Sequence, residues 1–542
     1  MAAPPTVASP PAASADDFEP RRRAARRAAA LPVLAVAALT AIGAVLRVIV
    51  AHQSVFADEL STYWISVTHG LGGVLSLLYS SGRIQHAEIT PPLSFLASWL
   101  STRPGATVEL LRAPALLAGT ATIPLVYALG LRSVGRRAAL LAAALTALSP
   151  FMIYYSAEAR AYGLMMFLLA CSTLSMLLAI DTERKRYWVL FAVFSAAAFY
   201  THYTSTFVLA VQLLWLLSVE PQARRRALIA TAGAAALVLP WIPGLVADLR
   251  SPTLTLLSAL SAFTPHAVRV DIEHWAIGYP YAQSPTLPSV ASGLGNLPGV
   301  PALVLLALAL VASVGGVAGR VRRSGWREPL RSVGGRRVAL MFALMLATPV
   351  GEILGSAIGN HIIGVRDLAA SWPYLALAAA AFAIAAGRRV GTAAAVLGLV
   401  AFGLAAAKML EARFQRPNYQ AAASYVAAHA RAGDVVIDET GGLSPGPLTG
   451  FDVAFRRRLT VVRALSPAER DHPFTVFDPI VSFRSAVGEA VKDAHGGRVF
   501  LVAAELPQTS FSDGYQLRTV RRYLGIERTL VGVYSRSAAR AP

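Results

Sequence analysis

Long apolar runs alternate with short polar connections through the first three quarters of the chain, and the length of the runs decides what they are. The first, AALPVLAVAALTAIGAVLRVIVA, covers 29–51, and a helix needs about 20 apolar residues to cross a hydrocarbon layer roughly 30 Å thick. Ten further runs fall at about 110–130, 138–155, 161–180, 187–200, 203–219, 227–247, 298–318, 338–357, 368–387 and 391–409. The pattern therefore predicts eleven membrane spans. The division at THYT, 201–204, is the weakest; Tyr187 to Glu220 reads as one bent element or as two, and its 34 residues exceed what one crossing needs.

Every second connection is basic: Arg132, Arg136 and Arg137, then Arg184, Lys185 and Arg186, then Arg224 to Arg226, then seven arginines from Arg320 to Arg337, then Arg388 and Arg389. Lys and Arg concentrate in cytoplasmic loops, so these turns and the basic N-terminus are expected inside the cell. An odd number of spans then carries the C-terminus outside. Two long connections, about 52–109 and 248–297, are left on the external side. The first contains ELSTYWISVTHG and GGVLSLLYSSG, whose mixed faces suit helices lying in the membrane interface. It closes with RIQHAEITPPLSFLASWL, where Pro91 and Pro92 favour an extended approach and Trp99 suits headgroup depth. HAVRVDIEHWAIGY in the second connection predicts another interfacial helix, with the character of a lid.

Beyond Met409 the period changes. NYQAAASYVAAHA and FRSAVGEAVKDAHGG read as helices, the latter closing at Gly496 and Gly497. GDVVIDE, RLTVVRAL, RVFLVAAE and RTLVGVYSRS read as strands. The expected organisation is a disordered basic cytoplasmic tail over 1–28, a membrane domain over 29–410 and a small external α/β domain over 411–542. The fold class is an α-helical polytopic membrane protein carrying that C-terminal domain.

Composition sharpens this picture. Of 542 residues 55% are hydrophobic and 15% charged, with mean hydropathy +0.53, which excludes an ordinary soluble protein. A net charge of +19 would suit nucleic acid, but the arginines sit in turns between spans, where membrane orientation accounts for them. Nucleic acid is not an expected partner; the lipid bilayer is. The single cysteine, Cys171, cannot form an intrachain disulfide. Arg47, inside the first run, is expected to snorkel toward the interface.

Candidate chemistry gathers in the external connections. Asp58 and Glu59 stand side by side in FADELSTYW, immediately after the first run. One reading makes them an acidic opening of a surface helix with Asp58 as N-cap; the other makes them a catalytic pair at the membrane face. SPFMIYYSAEARAYGLMMFL at 149–168 adds Glu158, Arg160 and Tyr162, YTHYT adds His202, and Arg366 precedes an apolar run containing Trp372 and Pro373.

Together with FADELS and ITPPLSFL, these segments resemble the polyprenyl-phosphate-sugar-dependent membrane glycosyltransferases of the GT-C fold. The nearest group is that of the dolichyl-phosphate-mannose-protein mannosyltransferase-like and aminoarabinose-transferase-like enzymes. The resemblance covers roughly 31–410, and NYQAAASYVAAHARAGDVVI resembles the soluble domain some members carry. It rests on the acidic pair after the first span, matched by Asp58 and Glu59, and on a Pro-Pro-Leu turn, matched by Pro91, Pro92 and Leu93. A Ser-x-x-x-Arg-x-Tyr turn is matched by Ser156, Arg160 and Tyr162, and a late external arginine by Arg366. Ala161 departs from the proline frequent in the family, and Thr90 from the histidine frequent before the Pro pair, which leaves a local acid-base partner unidentified.

The resemblance implies a hexosyl- or pentosyltransferase of the cell membrane. It would move a sugar from a polyprenyl-phosphate donor to a glycan, lipid or protein acceptor on the external face, as part of the cell envelope. Such a reaction needs a base for the acceptor hydroxyl and positive charge against the departing phosphate. Asp58 is the candidate base, with Glu59 orienting it. Arg160, Tyr162 and Arg366 are candidates for the donor phosphate. Asp58 and Glu158 are candidate ligands of a divalent cation, Mg or Mn, and no organic cofactor is expected. His86, Glu88 and His202 complete the local set as acceptor contacts. Plainer roles compete for several of them: a polar hairpin turn for Glu158 and Arg160, a helix cap for His202, a surface pair of Arg366 with Asp367, and solvated loop positions for His86 and Glu88. A multi-pass secondary transporter is the competing class, though its charges would lie near mid-membrane within repeated halves. A polytopic scaffold with an external binding domain would leave the acidic pair without a task.

Overall fold

A computed structural model describes residues 15–79, 88–260, 263–278, 293–324, 332–359, 361, 363–440, 448–455, 459–465, 481–506, 509–511 and 514–536. Helix α1 runs Ala15–Ala51, so the segment RRRAARR is helical where an unstructured tail was expected. Ala and Arg are among the strongest helix formers, and here they simply extend the first span backwards. The long first connection folds as three short helices, α2 Glu59–Thr68, α3 Leu71–Tyr79 and α4 Leu93–Ser101. They bury Ile65, Val74, Leu78 and Phe95 against Trp241.

The apolar runs then follow as α5 Val108–Ser133, α6 Arg136–Leu148, α7 Pro150–Ser156, α8 Ala161–Thr182, α9 Lys185–Phe199, α10 Ser205–Val219, α11 Arg224–Val238 and α12 Ile242–Leu249. After these come α13 Pro252–Leu260, α14 Pro265–Ile277, α15 Val300–Ser324, α16 Val333–Ile358, α17 Trp372–Ala385 and α18 Arg388–Met409. Among the described residues eight helical segments are long and apolar enough to cross a membrane, and α6 with α7 makes a ninth bent by 61°. Pro150 at the start of α7 cannot donate to the preceding turn, which explains the break. The remaining two predicted spans are α9 and α10, 15 residues each and so roughly 22 Å long. The chain does divide at 201–204, as expected, but both pieces are shorter than a full crossing.

The basic turns meet at one end of the bundle. Asp181 at the end of α8 binds Arg132 at 2.8 Å and also Arg337; Glu183 pairs with Arg226 at 3.3 Å and Glu220 with Arg336 at 3.8 Å. Two of these turns use the same device, a glycine with positive φ just before a helix, Gly135 at +87° and Gly387 at +111°, a backbone state open to Gly at little cost. Arg47 does not snorkel. It is fully buried and donates to Gly43 O at 3.0 Å and Thr146 O at 3.0 Å, because backbone carbonyls of its own helix and of α6 lie closer than any polar interface.

The C-terminal part contains α19 Tyr419–His429, β1 Val435–Asp438, α20 Gly450–Ala454, β2 Thr460–Leu465, β3 Val481–Ser482, α21 Phe483–Asp493, β4 Val499–Ala503, β5 Tyr515–Tyr523 and β6 Thr529–Arg536. The strands form one sheet in the order β3-β2-β1-β4-β6-β5. The first four pair in parallel, and β6 and β5 close one edge antiparallel. β1 and β4 are buried along their whole length, as strands covered on both faces must be. Residues of α21 share one apolar cluster with the sheet, and residues of α19 share another. Phe414, Tyr419 and Ile526 are buried in the same cluster as the helical bundle, so the two parts meet over a packed seam.

Candidate active site

The chain leaves α1 through a corner at 52–58 and re-enters a helix at Glu59. Ala57 turns that corner with φ +51°, a left-handed conformation that residues with a Cβ seldom adopt. Strain of this kind persists only where the surroundings over-determine it. The N-cap reading of Asp58 fails: its backbone is helical, φ −58° and ψ −20°, and its side chain caps no N–H.

The two neighbouring acids diverge. Glu59 is fully buried and receives Arg112 Nε at 2.8 Å and Nη2 at 2.6 Å, together with the Ala159 N–H at 2.7 Å. A second cation, Arg416, stands 3.4 Å from the same carboxylate. Arg112 also donates to Ala51 O, Gln53 O and Ser54 O at 2.8, 2.6 and 3.0 Å, so one guanidinium staples the whole corner. Burial alone would raise the Glu59 pKa, but Arg112, then Arg416, then hydrogen bonds from Arg112 and Ala159 hold it below the usual range.

Asp58 turns the other way and hydrogen-bonds Nη1 of Arg366, 308 residues later. This pair is open, with 30% of the Asp58 side chain and 40% of the Arg366 side chain accessible. Burial works to raise the Asp58 pKa; Arg366 and then Arg160 outweigh it, keeping the carboxylate ionised. Arg366 lies in a 3₁₀ turn, Val365–Ser371, just before α17. Ser371 anchors that turn by accepting from Thr348 N at 3.0 Å and donating to Leu344 O at 2.7 Å, and Trp372 Nε1 donates to Trp275 O of α14 at 3.0 Å.

Arg160 is already engaged. Nη1 donates to Glu88 Oε2 at 2.8 Å and Nη2 to Glu88 Oε1 at 3.0 Å, with both side chains under 10% exposed, and Ser61 and Thr90 add hydroxyl contacts around them. Glu88 is therefore no solvated loop residue. A buried bidentate partner holds it, and Arg160 together with Asp58 surrounds Glu88 electrostatically. Ser156 donates to Met152 O at 2.5 Å and packs so closely on Gly119 that a Cβ there would meet its Oγ at 2.0 Å. The small residues let the hairpin 157–160 sit directly against α5.

Glu158, in that hairpin, is 5% exposed, and its Oε2 has no hydrogen-bond partner among the described residues. Burial, joined by Glu59 and Asp58, outweighs Arg416 and Arg160 and pushes its pKa up to about 7. Tyr162 is buried among the charges of Arg366, Asp367, Arg160 and Asp58, with the His202 ring 5.4 Å from its own. His202 Nδ1 pairs with Thr204 Oγ1 at 3.0 Å. Burial first, then Arg160 and Arg366, lower its pKa to about 3, so it is a neutral ring at physiological pH. His86 lies outside the described residues. Asp58, Glu88, Glu158, Arg160, Tyr162, His202 and Arg366 thus belong to one cluster of charged and polar groups, and Glu59 holds the buried side of the corner from which Asp58 projects.

Two residues of this site escaped the sequence reading. Arg112 had a signal, a charge just inside an apolar run, which is unusual enough to suggest a task. Arg416 had none, because its partner Tyr154 lies 262 residues away. The expected cation site on Asp58 and Glu158 finds no third ligand: among the described residues no three His, Cys, Asp or Glu side chains come together as a metal-holding group. Guanidinium groups stand beside both carboxylates instead.

Residues 90–245 match the family model of dolichyl-phosphate-mannose-protein mannosyltransferase. Comparison with curated proteins by sequence returns no match. Among solved structures the chain is similar to ArnT from Cupriavidus metallidurans bound to undecaprenyl phosphate, with 14% identity over 92% of this chain and 97% of that one, at a TM-score of 0.50. It also aligns with the Archaeoglobus fulgidus oligosaccharyltransferase tethered with an acceptor peptide, at 12% identity, 87% and 69% coverage and TM-score 0.49. A third alignment is with the mycobacterial arabinofuranosyltransferase AftD, at 16% identity, 93% and 40% coverage and TM-score 0.42.

Proposed function

We propose, for a chain with the GT-C architecture, a membrane glycosyltransferase that moves a sugar from a polyprenyl-phosphate donor to an acceptor hydroxyl. The observation that carries the reading is the open Asp58–Arg366 pair, joined across 308 residues of chain and set beside the apolar helices long enough to span a membrane. In the resting state each group neutralises the other. A donor phosphate reaching this cluster competes for Arg366, and the Asp58 carboxylate is released to take a proton.

The acceptor O–H then gives its proton to Asp58 as its oxygen attacks the anomeric carbon. The bond from that carbon to the phosphate oxygen breaks, and the electron pair leaves with the phosphate. A phosphate leaving group needs no acid; it needs positive charge where its own charge grows, and Arg366 supplies it. Tyr162, beside Arg366 and Arg160, and neutral His202 next to it offer further hydrogen bonds. Arg160 and Glu88 shape the cluster, and Glu59 holds the corner from which Asp58 projects. Transfer assayed with and without EDTA tests whether a divalent cation takes part alongside these side chains.

The basic end of the bundle is assigned to the cytoplasm and the site, with the C-terminal domain, to the outer face of the cell membrane. Cysteines placed in the turns of Arg136 and Arg225 should then resist an impermeant reagent in intact cells, and cysteines at Arg484 or Lys492 should react. Purified protein in lipid vesicles with a labelled polyprenyl-phosphate sugar tests the activity itself. Label appearing on an acceptor supports the enzyme, and solute uptake without transfer supports a carrier instead.

A further inference from the structure

The corner that carries Asp58 is touched from behind by the C-terminal domain at several points. The Arg416 N–H donates to Gln53 Oε1 at 2.9 Å and the Gln420 N–H to Ser54 Oγ at 3.2 Å. Gly450, first residue of α20, lies so close that a Cβ there would stand 2.9 Å from Val55 O. Between these backbone contacts the Arg416 side chain passes into the bundle and is 2% exposed. Its guanidinium lies 4.7 Å over the Tyr154 ring, Nε reaches the Tyr154 hydroxyl at 3.3 Å, and Nη1 reaches Ala157 O at 3.5 Å and Glu59 Oε2 at 3.4 Å.

Those contacts span the two segments on which the site is built, the corner ending in Asp58 and Glu59 and the hairpin holding Glu158 and Arg160. They are also looser than those of Arg112, which grips Glu59 at 2.6 to 2.8 Å. The division of labour follows. Arg112 and the Ala159 N–H suffice to keep Glu59 paired, whereas Arg416 sets the spacing between corner and hairpin. Errors of about 1 Å in that spacing are enough to cost roughly 10²-fold in rate.

We propose that Arg416 is a positioning residue for the transfer reaction, through which docking of the C-terminal α/β domain sets the geometry of the Asp58 corner. The proposal rests on the glycosyltransferase reading for its kinetic consequence, but not for its structural one. The domain is thereby a part of the active machinery and not an appended binding module.

The test uses full-length protein with Arg416→Gln, Arg416→Lys and, as a control, Arg498→Gln, which removes a cation bonded only within the C-terminal domain among its described contacts, to Asp434 and to His429 O. Sugar transfer and amide hydrogen exchange over residues 56–60 are measured on each. Arg416→Gln should lower kcat about 10- to 100-fold with the donor KM within about twofold of the parent, Lys should recover part of the loss, and exchange at 56–60 should quicken. Arg498→Gln should match the parent in both. Parental kcat or parental exchange in Arg416→Gln overturns the proposal. Should that variant not fold, Gly450→Ala, which wedges the same seam without touching the charge, decides by the same two measurements. If the parent itself transfers no sugar, the functional reading has failed, and exchange at 56–60 alone decides whether Arg416 positions the corner.

Discussion

Asp58 and Glu59 are adjacent in the chain and opposite in every physical respect. Glu59 is inaccessible, bonded by an arginine and a backbone N–H and approached by a second arginine; Asp58 is 30% accessible and pairs with an arginine that is 40% accessible. The contrast separates holding from reacting. A carboxylate whose lone pairs are all engaged has nothing to exchange, while one in a half-open ion pair can trade its partner for a substrate. The corner needs both, because the reacting group is only as well placed as the buried one that fixes its backbone.

The harshest way to break the contrast is to empty the buried side. Arg112→Ala leaves Glu59 with its charge buried and its main partner gone, a change worth about 3–5 kcal/mol. Thermal unfolding in detergent should show it as a large loss of stability, and a variant melting with the parent would mean that the corner is held some other way.

Asp58→Asn tests the open side. The substitution keeps shape but removes charge and basicity, so turnover should fall about 10²-fold or more while the melting temperature stays near that of the parent. Transfer close to the parental rate would end the assignment of Asp58 as base.

Glu158 sits between the two regions, and pH reads it. Its carboxyl has a folded pKa pushed up to about 7 from the ordinary 4.5, so the folded state binds more protons than the unfolded state between those values. Stability from this group is therefore fully present below about pH 4.5 and is lost as pH rises toward 7, by up to about 3 kcal/mol. Glu158→Gln should lack that component. Chemical unfolding of both proteins from pH 4.5 to 8 should give curves that diverge across this window, and parallel curves would count against a buried, uncompensated carboxyl.

The smallest effect on stability is expected from Arg366→Gln, since a half-exposed ion pair contributes about 0–1 kcal/mol. Its kinetic effect should be clear, roughly a tenfold loss in kcat/KM seen when donor is varied. Equal loss with donor and acceptor varied would move Arg366 away from the phosphate.

The fold was legible wherever one period dominates. Apolar runs marked the helices, the arginine-rich turns their basic ends, and four of the strands stood out by β-branched content. β5, YQLRTVRRY, did not, because it lies at the sheet edge and carries Arg518, Arg521 and Arg522, the charged dressing that keeps an edge from pairing with other chains. Within the site, Asp58 and Arg366 could be nominated one by one, but not as a pair, since nothing local in a sequence reports a contact across 308 residues. Arg47 and Glu88 were misjudged for a related reason: exposure was inferred from neighbours in the chain, while burial was decided by α6 and by Arg160.

The seam at Arg416 also has a consequence for how the molecule is made. Glu59 meets Arg112 after only 53 residues of chain, but the backbone of Arg416 reaches Gln53 across 363. The residues that staple the first corner through Arg112 are therefore all made long before Arg416 is. A chain halted at Met409 would carry every residue of the cluster and still lack the last contact that trues it. If Arg416 positions the corner as proposed, a chain ending before it would hold its acidic pair in a corner that the seam has not yet set.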